Sequence, residues 1–139
     1  MKDGSLKGIG GWLAIFLVVL VFNILYLVYD VLANFQYVGL LPVMSIILII
    51  QVGIIIIFTV GFFKMISYDR EGVELLKWAL WLPALNILFL MVIFYFMQLR
   101  GAEELFVSLF QVAIWALIWT SYLKQSVRVE NTYYERKKK

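Results

Sequence analysis

Four long runs without a charge, residues 8–29, 31–63, 78–99 and 105–123, alternate with short segments that hold nearly every charged side chain. A helix rising about 1.5 Å per residue needs about 20 apolar residues to cross the hydrocarbon of a bilayer, and each run meets that length. The pattern therefore predicts an all-α fold: a polytopic membrane protein of four transmembrane helices in an up-down bundle. The spans are expected at about 9–30, 42–63, 78–99 and 104–123, with a basic tail at 124–139. Lipid offers no hydrogen bonds, so each span must close its backbone bonds within its own helix.

The second run would be roughly 50 Å long if helical throughout, so part of it must be loop. Asn34, Gln36, Gly39 and Pro42 mark that loop. Pro42 lacks an N–H and has a pre-set φ, which suits the first turn of a helix reaching Phe63. The connection 64–77 contains Asp69-Arg70-Glu71-Gly72 and reads as a short solvated turn. Pro83, five residues into the third span, removes the bond to the Ala79 carbonyl, so a kink is expected there. The fourth span meets no break signal as it runs into residues 124–130, and its helix is expected to continue past the membrane surface.

Charge sets the orientation. Eleven Lys and Arg residues flank the spans on one side and only Arg100 on the other. By the positive-inside rule both termini and the middle connection are cytoplasmic. Acidic residues do not share the bias, and Asp30, Glu103 and Glu104 fall outside. Trp12, Trp78, Trp81, Trp119 and Tyr122 lie at the expected inner ends, with Tyr29, Tyr37 and Tyr95 at the outer ones, as interfacial aromatics do.

Composition agrees, since 64% of the residues are hydrophobic against roughly 45–50% in soluble domains. Four spans and their loops occupy all 139 residues, which leaves no soluble catalytic domain. A signal peptide would have an apolar core of about 7–15 residues, shorter than the first run, so that run is read as mature sequence. With no Cys and no His, disulfides, zinc sites, iron–sulfur clusters and His-ligated haem are excluded, and no cofactor or metal is expected. The net charge of +3 borders the spans, which makes anionic lipid, not nucleic acid, the expected partner.

Each span carries one carboxamide near its middle: Asn23, Gln51, Asn86 and Gln111. At about 1.5 Å per residue all four fall within roughly 5 Å of the midplane. An unpaired amide is costly in hydrocarbon, so these side chains are expected to face the bundle interior, as glue between helices or as a polar lining. No Asp, Glu, Lys or Arg lies in the middle of a span, which counts against proton pumps, ion-coupled transporters and voltage sensors. Ser45, Ser108 and Ser121 have no His to act as base, so no enzyme is expected. Gly10, Ala14, Gly53 and Gly61 are small residues that allow close helix approach, within the chain or between copies of it.

The C-terminal stretch places Trp119, Tyr122, Leu123, Ser126, Arg128, Val129, Asn131, Thr132 and Tyr133 at close spacing, and the first span opens on Gly8-Ile9-Gly10-Gly11-Trp12-Leu13. A Gly-Gly-Trp-Leu start and a Trp/Tyr-x-x-Ser-x-Arg-Val-x-x-Thr-aromatic end resemble the domain of unknown function 2569 family of bacterial four-helix membrane proteins. The resemblance covers the two ends of the chain; residues 34–104 share only the hydropathy profile. It implies a four-helix fold in the bacterial inner membrane and no particular activity. From the residues themselves, Ser126 and Arg128 are placed to cap the exit of span four or hold a lipid phosphate, with Asn131 and Thr132 in a turn.

Two functions fit this pattern. The favoured one is an accessory or scaffold protein, self-associating or bound to another membrane protein, acting through helix–helix or lipid contacts. The other is a small channel or transporter whose path runs past the midplane Asn and Gln residues, with the Pro83 kink as the moving element.

Overall fold

The protein is described by a computed structural model covering residues 7–39 and 42–134. Five helices dominate: α1 (Trp12–Asn34), α2 (Pro42–Ile66), α3 (Arg70–Ala79), α4 (Leu82–Phe96) and α5 (Ala102–Gln125). A 3-10 turn, Phe35–Tyr37, follows α1. A short helical turn, Val127–Val129, and a π-helical turn, Glu130–Tyr134, follow α5. Among the described residues there is no strand. Helices α1, α2 and α5, and α3 with α4 taken together, are each long and apolar enough to cross a membrane. Only 17–28% of each apolar window is buried inside the chain, so most of its surface calls for an apolar solvent.

Helix α1 packs on α2, α2 on α3 and α4, and α4 on α5. The core is lopsided. On α1 the buried side chains Leu13, Phe16, Leu17 and Leu20 all lie in the first half of the helix. On α5 they are Ala116, Trp119, Thr120 and Leu123, all in the second half. These halves meet where the Phe16 and Trp119 rings stack with centroids 4.9 Å apart. Trp119 is thus a core residue and not an interfacial one, whereas Trp12 and Trp78 are exposed.

The connection between the second and third spans differs from the expected solvated turn. Asp69 caps α3, its carboxylate accepting from the Glu71 N–H at 3.0 Å. The helix then buries Gly72, Val73, Leu76 and Ala79 against α2. Its charges occupy the other face, where Lys64 pairs with Glu71 and Lys77 with Glu74 at 3.1 Å. Dense charge conceals a one-sided apolar stripe, because ten residues allow less than three turns of it.

The expected third span is also divided. Helix α3 ends at Ala79, and α4 begins at Leu82 with Pro83 in its first turn, where its missing N–H removes no intrahelical bond. Nor does the last span continue as expected: α5 stops at Gln125 because Ser126 turns extended, with ψ 120°.

Candidate functional site

Where the apolar core ends, a cavity of about 520 Å³ begins, and all four long helical segments line it. Helix α1 contributes Asn23, Tyr26, Leu27 and Asp30, spaced so that they share one face. Gln51, Ile54 and Phe58 come from α2; Pro83, Asn86, Ile87 and Leu90 from α4. Helix α5 adds Leu105, Ser108, Gln111, Val112 and Trp115. The four carboxamides singled out by depth therefore surround a single space. Phe58 and Leu80, each 2% exposed, close it toward the apolar core. Tyr26 and Gln111 are exposed lining residues and mark where it reaches the surface. Gln111 thus stands at the rim and not in the interior.

Asp30 is the feature that span-by-span reading places outside. Helix α1 continues to Asn34, so Asp30 sits one turn inside the helix and belongs to the cavity wall. The Gln51 Nε2 donates to its Oδ2 at 2.8 Å, and the Asn34 Nδ2 donates to its Oδ1 at 3.1 Å. These amides satisfy part of the carboxylate without neutralising it. Among the described residues the lining holds no Lys or Arg. The spacing of seven between Asn23 and Asp30, two helical turns on one face, is the sequence signal for this membership.

Two acceptors in this wall lack donors. The Gln51 Oε1 and the Asn86 Oδ1 are buried without a hydrogen-bond partner, and Asn86 as a whole is only 8% exposed. An unmet buried acceptor costs about 1–3 kcal/mol. The Trp119 Nε1 and Thr120 Oγ1 in the packed core are likewise without a partner, and what sets the Gln51 and Asn86 oxygens apart is that their residues line the hollow. Ser108 also lines the cavity and donates to the Glu104 carbonyl at 2.9 Å.

The two end motifs converge at the opposite end of the molecule. The Gly8 N–H donates to the Thr132 Oγ1 at 3.0 Å across 124 positions of sequence. Gly11 adopts φ 53°, which an L side chain rarely tolerates, as it leads into α1. Beside it, a Cβ on Gly10 would lie 2.8 Å from the Arg128 Nη1, so the guanidinium rests against the glycine pair. Ser126 accepts weakly from the Val129 N–H, at 3.5 Å. Asn131, Thr132 and Tyr133 are buried in a π-helical turn and not placed in an exposed loop. The Tyr133 hydroxyl donates to the Met65 carbonyl at 2.9 Å, and burial pushes its pKa up, which keeps it a neutral donor. Tyr122 stacks edge-on against Trp119 at 5.8 Å. Tyr134 docks on α3, its hydroxyl donating to Glu74 and accepting from Lys77, with Arg70 over its ring at 4.6 Å. This clasp is a structural joint with the half-buried Arg128 at its edge.

Among the described residues no group of three or more Asp or Glu side chains is arranged to hold a metal ion. Compared with protein-family profiles, with curated proteins and with solved structures, the chain shows no significant match.

Proposed function

We propose that this chain is an integral inner-membrane protein that takes a small polar or amphiphilic ligand into the cavity between its helices, as a carrier or channel does. The observation that carries the reading is the convergence of Asn23, Gln51, Asn86, Gln111 and Asp30 on one cavity of about 520 Å³, within the roughly 300–1,000 Å³ typical of small-molecule sites. A scaffold acting through its outer faces needs no polar hollow, and apolar packing there would be more stable. The carrier or channel reading is therefore preferred over the scaffold.

The arrangement we infer is an up-down bundle with both termini in the cytoplasm. It is supported by the Gly8–Thr132 bond, which joins the beginning of α1 to the segment after α5, and by the Tyr133–Met65 bond, which brings the end of α2 to the same place. Lys7, Lys64, Lys77, Lys124 and Arg128 belong to that end, which suits anionic headgroups and the positive-inside rule. The bacterial inner membrane is part of this proposal, and what supports it is the resemblance of the two end motifs. The division of the third span at Leu80 and Trp81, beside the cavity, is the natural hinge.

The absence of native cysteine makes the test clean. In intact cells, Asn86→Cys and Gln51→Cys should react with a membrane-impermeant maleimide at least ten times faster than Leu85→Cys on the lipid-facing side of α4. Tyr37→Cys, at the end of the first hairpin, should react fastest. Labelling of Tyr37→Cys with none at positions 51 and 86 would remove the solvated cavity and leave dry glue.

A further inference from the structure

The cavity's chemistry narrows the class of ligand, given that it is a ligand site. Its lining contains one acidic side chain, Asp30, and, among the described residues, no Lys or Arg to pair with it. An anionic ligand would face the Asp30 carboxylate with no Lys or Arg among the described lining residues to attract it. The unmet groups in the wall, the Gln51 Oε1 and the Asn86 Oδ1, are acceptors, and a ligand that answers them must bring N–H or O–H donors. Trp115 and Tyr26 supply aromatic walls, favourable to an organic cation.

A bare divalent ion fits poorly. Calcium takes six to eight oxygens at about 2.3–2.6 Å and magnesium a tighter octahedron, whereas a volume of about 520 Å³ with Leu, Ile, Phe and Val at about half of its lining positions asks for an apolar body. We infer that the cavity binds an organic ammonium, a protonated amine on an apolar or aromatic body, with Asp30 as its counter-ion and the Gln51 and Asn86 carbonyls as acceptors for its N–H groups. Gln51 would then have a double part, its Nε2 holding Asp30 and its buried, donor-less Oε1 turning to accept from the ligand. A quaternary ammonium, lacking N–H, would satisfy the charge and leave both acceptors empty.

The test uses full-length protein in phosphatidylcholine nanodiscs, with empty discs subtracted. Monodansylcadaverine, a primary ammonium on a fluorescent aryl body, is titrated beside its neutral N-acetyl derivative. The expected result is at least ten-fold tighter binding of the amine, a preference lost in Asp30→Asn and largely kept in Asp30→Glu. Equal affinity for the two probes in the wild type, or an unchanged preference in Asp30→Asn, would overturn the inference. If Asp30→Asn fails to fold, the wild-type comparison of amine and acetyl probes still decides. Ser108→Trp, which fills the cavity, separates the two levels of the reading. Equal binding of both probes, abolished by Ser108→Trp, sinks the ammonium selectivity and leaves the ligand site standing. Binding of both probes that ignores Ser108→Trp sinks the site itself.

Discussion

Gly72→Ala should destabilise the bundle by about 1–2 kcal/mol net, although it places alanine for glycine in a helix. Intrinsic propensity favours the change by about 0.5–1 kcal/mol. Against this, the new Cβ would lie 2.7 Å from the Met65 backbone nitrogen, 2.8 Å from the Lys64 Cβ and 3.0 Å from the Gly61 carbonyl oxygen. Two of those atoms are backbone in the last turns of α2 and cannot swing aside, so overpacking of about 1–3 kcal/mol or more decides the sign. The α2–α3 hairpin must then open. At Gly61→Ala the nearest atoms belong to the Leu76 side chain, at 2.7 Å, which can shift, so this change should cost less. Gly53, expected from its type to serve helix approach, has nothing within 4 Å of a built Cβ, so Gly53→Ala should be neutral or slightly stabilising. Thermal unfolding in mild detergent should rank the three in that order. Equal melting of Gly72→Ala and Gly53→Ala would contradict the close α2–α3 contact.

Tyr133→Ala should be the most damaging change at the terminal clasp, at about 3–5 kcal/mol, the range for removing a large buried ring. Tyr133 is 2% exposed and lies beside Tyr68, with ring centroids 6.4 Å apart. Tyr133→Phe removes only the bond to the Met65 carbonyl, which still accepts from the Tyr68 N–H at 3.0 Å, so about 1 kcal/mol is expected. The alanine variant should also free the segment after Gln125 for proteolysis, while the phenylalanine variant stays resistant. Similar protease sensitivity of the two would show that the hydrogen bond, and not ring burial, holds the clasp.

The four long apolar helices are legible in the sequence because hydrocarbon thickness imposes a length that composition shows directly. The depth of Asn23, Gln51, Asn86 and Gln111 is legible for the same reason. Their convergence on one cavity is not, since depth along a helix leaves its rotation undetermined, and Gln111 ends at the rim. Asp30 is hidden by where the charge-free run stops: a helix does not end at its first carboxylate if neighbouring amides, here those of Gln51 and Asn34, receive it. Helix α3 is hidden by its charges, and the break after α5 by the lack of a Gly or Pro at Ser126. The clasp joins Gly8 to Thr132, a pairing that no local pattern encodes.

The most direct measurement is a nitroxide scan of α4 in bilayers, comparing collisions with oxygen, which concentrates in lipid, against a water-soluble nickel complex. Leu85, Leu88, Phe89 and Val92 are exposed, while Asn86, Ile87 and Leu90 line the cavity. The two collision rates should therefore oscillate with the helical period and in opposite phase, nickel highest at Asn86, Ile87 and Leu90 and oxygen highest at the other four positions. Oxygen dominating throughout, with nickel low at Asn86, would contradict a polar cavity enclosed by membrane-spanning helices.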